Sequence, residues 1–163
     1  MQNINIRKAD KSDIELLIQM RLDYLTEDGG KLTPDEENKT VEQLRGYFPK
    51  HVDNPDNPDF IAALGEVNGK IVATAFLVIS ERPANPRNFI TGKTASILNV
   101  FTYPEYRRQG IATKLLELLI DEAKKANVSF IELTATAMGK PVYEKLGFKE
   151  KTHSVYTKMQ LNL

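Results

Sequence analysis

Residues 96–114 read Ser96-Ile97-Leu98-Asn99-Val100-Phe101-Thr102-Tyr103-Pro104-Glu105-Tyr106-Arg107-Arg108-Gln109-Gly110-Ile111-Ala112-Thr113-Lys114. The apolar residues Ile97, Leu98, Val100 and Phe101 predict a buried strand, and Pro104 predicts a turn after it. A basic loop with Arg107, Arg108 and Gly110 follows. It opens into a helix whose apolar residues, Ile111, Leu115, Leu116, Leu119, Ile120 and Ala123, recur three or four apart. A strand that runs through a basic glycine turn into a helix N-terminus is suited to holding phosphate. The first helical turn leaves backbone N–H groups unpaired, and the helix dipole favours an anion there. Gly110 permits close backbone approach, Ala112 keeps the next turn slim, and the two guanidinium groups add charge that grips phosphate oxygens.

Working outward, Ile4 and Ile6 alternate with Asn3, Asn5 and Arg7, which predicts a short first strand. Ser12 with Glu15 forms a capping box that starts a helix carrying Ile14, Leu17, Ile18, Leu22 and Leu25 and ending near Gly29-Gly30. Thr33-Pro34-Asp35-Glu36 is a second capping box, with proline at the first helical position, and predicts a helix to Tyr47. Pro49 to Asp59 reads as a surface loop. Phe60–Val67 and Lys70–Ser80 are strand-like runs joined at Asn68-Gly69, a strong hairpin signal. Glu81 to Lys93 is polar and precedes the central strand. After the long helix, about Gly110 to Ala126, Phe130–Thr134 predicts a strand, and a short helix carrying Tyr143 stops at Gly147 in a left-handed cap. Phe148–Lys151 and Ser154–Leu161 predict two final strands.

The chain has 163 residues, which fits a single domain spanning 1–163 with a real core. Lysine plus arginine and aspartate plus glutamate both number 22, so no global basic field points to nucleic acid. Cysteine is absent, which excludes disulfides, thiolate metal sites and an acyl-cysteine intermediate. No signal segment or bilayer-length apolar run is present, so a cytoplasmic protein without a membrane partner is expected. Gly92-Lys93-Thr94 looks like the end of a phosphate-binding P-loop. That motif requires a glycine where Arg87 stands, and a helix where a strand follows.

Val100, Pro104, Tyr106, Arg107, Gly110 and Ala112 stand at spacings that resemble the acyl-CoA-binding motif of the GNAT superfamily of N-acyltransferases. Val142-Tyr143-Glu144-Lys145-Leu146-Gly147-Phe148 resembles that family's second signature, Leu-Tyr-Glu-Lys-Leu-Gly-Phe. The resemblance implies an α/β fold of the mixed α+β kind: a central, mostly antiparallel sheet, splayed beside the central strand and flanked by about four helices. It implies acetyl-CoA as co-substrate, with no metal. Backbone groups of Leu98, Asn99, Val100 and Phe101 would hold the pantetheine arm like an added strand. Arg107 and the N–H groups of Arg108, Gln109, Gly110, Ile111, Ala112 and Thr113 would take the pyrophosphate. Thr136 stands where the family often carries an asparagine that contacts pantetheine, and its hydroxyl can hydrogen-bond in that role.

Acetyl transfer needs a neutral amine, a polarised carbonyl and a proton for the leaving thiolate. The resemblance gives the polarising N–H to the Asn99–Val100 region and the proton to Tyr143, whose phenol is protonated at neutral pH. The base is open. Glu132 matches a catalytic glutamate of some family members and reads equally as a solvated strand residue. Glu66, Glu81, Asp28, His51, His153 and a water chain are the other candidates. The reading is therefore an N-acetyltransferase acting on a primary amine of a small molecule or peptide. Arg21, Asp23, Tyr24, Glu27 and Asp28 of the first long helix read either as residues that recognise a polar acceptor or as that helix's solvated face. The alternative is a non-catalytic acyl-CoA-binding regulatory module with the same fold. Family members often pair through exposed sheet edges, so a homodimer is open too.

Overall fold

The computed structural model describes residues 3–151, 157 and 159–163. Five strands form one sheet in the order β1 (Ile4–Lys8), β2 (Phe60–Val67), β3 (Lys70–Glu81), β4 (Lys93–Thr102) and β5 (Ile131–Glu132). The first four pair antiparallel, and β5 lies parallel to β4. The β2–β3 turn uses Asn68 and Gly69 with φ of 50° and 83°, the two positive values that a type I′ hairpin requires. Four helices flank the sheet: α1 (Ile14–Gly29), α2 (Pro34–His51), α3 (Ile111–Lys125) and α4 (Lys140–Lys145).

The sheet separates two apolar layers. On one face Leu17, Ile18 and Leu22 of α1 and Leu44 and Phe48 of α2 meet Phe60, Leu64 and Phe76. On the other face α3 buries Leu115, Leu116 and Leu119 completely against a floor that includes Val72 and Leu77. Each buried leucine contributes about 1.5–3 kcal/mol by transfer from water. Both predicted strand-and-helix units of the central stretch, and the mixed splayed sheet, are present.

Several boundaries differ for physical reasons. The first long helix is entered through a 3₁₀ turn at Lys11–Asp13, capped by Asp10 and Asp13 in place of Ser12 and Glu15. The Asp13 carboxylate takes Arg7 Nη1 at 2.7 Å and Nη2 at 2.8 Å, and the Asp10 N–H at 2.9 Å. That bidentate pair draws the chain reversal upstream. Helix α2 runs through Pro49 to His51, past the expected end at Tyr47. Burial of Phe48 and Val52, each 1% exposed, secures the last turn despite the proline. Strand β5 is two residues long, where Phe130–Thr134 was expected. Phe148–Lys151 is not a strand, because Phe148 is used to cap α4. Half of the predicted strand Ser154–Leu161 lies outside the described residues, and the described positions 157 and 159–161 are not in a strand.

Candidate active site

Strand β4 is paired along its length to β3, but its other edge meets β5 only at Ala95 and Ser96. From Ile97 onward that edge has no strand partner among the described residues. This is the splay. At the same place β4 carries a bulge: Thr74 pairs with Phe101 and Phe76 with Leu98, so Asn99 and Val100 together oppose Ala75. Asn99 takes φ of 54°, a conformation asparagine tolerates better than most residues. Two buried polar atoms at the bulge, Asn99 Nδ2 and Thr74 Oγ1, lack hydrogen-bond partners among the described residues. Leu98 and Val100 pack into opposite layers, and Phe101 is buried edge-on to Tyr24 and Tyr103.

Beyond β4 a 3₁₀ turn at Pro104–Tyr106 leads to the basic loop. Arg108 and Gly110 both adopt left-handed backbone, φ 61° and 79°. No side chain caps α3, and the Lys114 N–H reaches back to Gly110 O at 3.2 Å. The donors of Ile111, Ala112 and Thr113 therefore face the loop at the positive end of the helix dipole. A Cβ on Gly110 would meet nothing within 4 Å, so the space before these donors is open. Arg108 projects into solvent, Gln109 is half-buried, and Ile111 is buried against Gly65.

Arg107 has a different place. Its Nη2 lies 2.5 and 2.6 Å from the Glu27 carboxylate, and its Nε donates to Thr102 O at 2.8 Å. Beside it, the Tyr103 hydroxyl donates to Asp23. Burial and that carboxylate push the Tyr103 phenol above its ordinary pKa. Asp23 and Glu27, four apart on α1, thus strap that helix to the loop.

Tyr143 is held by the end of its own helix. The Phe148 N–H donates to Tyr143 O at 3.1 Å and the Gly147 N–H to Glu144 O at 3.0 Å, with Gly147 at φ 92°. This is a Schellman cap, in which the residue after the left-handed glycine packs on the helix. Here that residue is Phe148, whose ring lies 6.0 Å from the Tyr143 ring, edge to face. The Tyr-Glu-Lys-Leu-Gly-Phe spacing is thus a device for fixing one aromatic ring. Tyr143 is 9% exposed. Burial, and then the nearby Tyr24 phenol, raise its pKa. Glu132 is exposed at the end of β5, opposite Ser96, and borders the same groove as Tyr143. Thr136 Oγ1 accepts the Gly139 N–H at 3.1 Å, just before α4.

The family model described as the acetyltransferase (GNAT) family matches residues 18–148. The chain belongs to that family. A crystal structure of a predicted acetyltransferase with acetyl-CoA from Clostridium acetobutylicum is 31% identical and superposes with a TM-score of 0.76 over 96% of each chain. Glucosamine-6-phosphate N-acetyltransferase from Arabidopsis thaliana is 25% identical with a TM-score of 0.64, covering 97% of this chain and 99% of that one. Among curated relatives, the ribosomal protein bS18-alanine N-acetyltransferase of Escherichia coli K12 is 43% identical over 61 residues. That match spans 36% of this chain and 41% of the relative.

Within this GNAT chain the polar and aromatic residues of α1 from Arg21 to Glu27 divide by helical spacing. Asp23 and Glu27 turn to the loop, whereas Arg21 and Tyr24 turn to the bulge. Arg21 Nη1 donates to Asn99 Oδ1 at 3.1 Å, and its guanidinium sits 5.4 Å from the Tyr24 ring centre. The Arg21–Asn99 contact joins residues 78 apart in sequence. A lone asparagine within an apolar strand run is the one sequence signal for it.

Proposed function

We propose that this GNAT chain moves an acetyl group from acetyl-CoA to a primary amine of a small molecule or peptide, within one domain spanning residues 1–163. The observation that carries this reading is the edge of β4 beyond Ser96, unpaired among the described residues, which ends at the left-handed Arg108 and Gly110 and the uncapped start of α3. An extended strand-like arm with a phosphate end fits that combination of backbone donors and open space. When bound, acetyl-CoA supplies a thioester whose carbonyl carbon accepts the amine nitrogen as the carbon–sulfur bond breaks. The backbone of Leu98 to Phe101 lies along the pantetheine arm, and the N–H groups from Arg108 to Thr113 take the pyrophosphate. Arg107 serves by anchoring the loop to Glu27 and Thr102 O.

A backbone N–H at the Asn99–Val100 bulge polarises the carbonyl. Tyr143 holds at its hydroxyl the proton that the departing sulfur takes, and burial keeps that phenol protonated at neutral pH. Thr136 keeps its hydroxyl hydrogen free to donate toward the arm. The amine proton passes to Glu132 or to water beside it. Holding both reactants together removes much of the entropic barrier. Tyr143→Phe tests the reading. The variant is expected to lose about 100-fold or more in kcat while its acetyl-CoA Kd stays within about twofold. A wild-type protein that binds acetyl-CoA and acetylates none of a broad amine panel would instead favour the regulatory module.

A further inference from the structure

Resting on the transferase reading, we infer that Arg21 holds a carboxylate of the acceptor, so that the acetylated amine belongs to an amino-acid-like molecule. Arg21 sits on the acceptor-side helix at the point where the sheet opens. It is half-buried, and burial pulls its pKa below the ordinary value, against the smaller opposite pull of Tyr24 and Asp28. A guanidinium stays charged under these conditions and offers five donors in a planar fork. The structure uses one of them, on Asn99 Oδ1. No carboxylate lies within ion-pair distance of Arg21 among the described residues. The residues outside that set (Met1, Gln2, Thr152 to Tyr156 and Lys158) include no aspartate or glutamate side chain.

A half-desolvated cation with no carboxylate in ion-pair contact gains when an anion completes it. The other half-buried arginines are completed: Arg7 by Asp13 and Arg107 by Glu27. The partner of Arg21 is itself incomplete. Asn99 is 1% exposed, and its Nδ2 has no acceptor among the described residues. Arg21 and Asn99 therefore present surplus donors at one place, with the Tyr24 ring stacked against the guanidinium and Tyr143 near Tyr24. A single fork beside neutral donors matches a carboxylate monoanion. A phosphate dianion would call for further cations beside the single guanidinium. The Asp28 charge suits an acceptor whose other end arrives as an ammonium.

The test varies the acceptor first and the protein second. Wild-type protein is given acetyl-CoA with free amino acids, the matching amino-acid amides and the matching decarboxylated amines, and kcat/KM is measured for each. The free amino acid is expected to exceed its amide and its amine by roughly 10- to 100-fold. In Arg21→Met, and less completely in Arg21→Lys, that ratio collapses toward one. A calorimetric titration with acetyl-CoA reports whether each variant is folded. A purely structural arginine would lower turnover on all three acceptors alike and leave the ratio intact. Equal wild-type rates on all three, or an unchanged ratio in Arg21→Met, overturns the inference while the transferase reading stands. No transfer to any of these three overturns the inference, and no transfer across a broad panel of small and peptide amines removes the transferase reading as well.

Discussion

Gly65 lies on β2 where α3 crosses the sheet, and replacing it with alanine is a direct probe of how the loop and helix are seated. A Cβ at this position would stand 2.6 Å from Ile111 Cγ2 and 3.2 Å from Ala73 Cβ. Carbon atoms in good contact sit about 3.5–4.0 Å apart, so the helix must retreat by roughly 1 Å or Ile111 must leave its rotamer. Ile111 is 1% exposed, and its Cγ2 is attached at the branched β-carbon, so the methyl has nowhere to swing. Overpacking of this kind costs about 1–3 kcal/mol. For a chain of this size that is a fall of roughly 3–10 °C in Tm. Ile111 is also the first residue of α3, so acetyl-CoA affinity falls with it. Scanning calorimetry on Gly65→Ala, Ile111→Ala and the double variant checks the cause. Ile111→Ala alone leaves a cavity costing about 2–5 kcal/mol. In the double variant the new methyl enters that cavity, so the combined loss is smaller than the sum by about 1 kcal/mol or more. Strictly additive losses, or a wild-type Tm for Gly65→Ala, would refute the packing argument.

Three further outcomes are expected. Asp13→Asn breaks the pair with Arg7 and costs about 1–3 kcal/mol at neutral pH. The Arg7 hydrogen bonds hold the Asp13 carboxyl below its ordinary 3.8. Its contribution is therefore fully present above that value and is lost as pH falls through the depressed folded-state pKa. Urea melts from pH 7 to pH 2 should show the wild-type advantage constant at first and shrinking below roughly pH 4; a gap that persists unchanged to pH 2 contradicts this. Gly147→Ala forces alanine to φ 92° in the cap that seats Phe148 on Tyr143, and equilibrium unfolding should register a loss of about 1–2 kcal/mol. For Tyr143, a raised phenol pKa means the proton-donating form persists to higher pH. The basic limb of kcat should thus lie above the ordinary 10.0, and a limb that belongs to Tyr143 at lower pH would be inconsistent with its burial.

The central unit was legible because its signals are local and mutually consistent. A short apolar run, a basic glycine turn and helical periodicity succeed one another within residues 96–123. The Asn68-Gly69 hairpin and the Thr33–Glu36 capping box were legible for the same reason, and both appear as expected. What departed from the reading depends on distant partners. Asp13 was drawn into the cap by Arg7 on β1, and α2 continued past Pro49 because Phe48 and Val52 are buried. Strand β5 is short because the sheet opens beyond it. Phe148 reads as the start of a strand by composition, yet the left-handed Gly147 turns it back onto Tyr143. The site followed the same division. Its backbone parts lie within one contiguous stretch, whereas the meeting of Arg21 with Asn99 depends on α1 crossing the bulge. Arg107 is read from sequence as a phosphate ligand, and what the sequence does not show is that its Nη2 and Nε are held by Glu27 and Thr102 O.

The most direct test of the central claim is a calorimetric titration of the purified protein with acetyl-CoA, run beside Arg108→Ala and Gly110→Glu. The account predicts saturable binding that both variants weaken sharply. Gly110→Glu should be the more damaging, because it places a side chain and a negative charge at φ 79° before the donors of α3. The absence of binding at up to about millimolar acetyl-CoA, a concentration corresponding to roughly 4 kcal/mol of affinity, would contradict it.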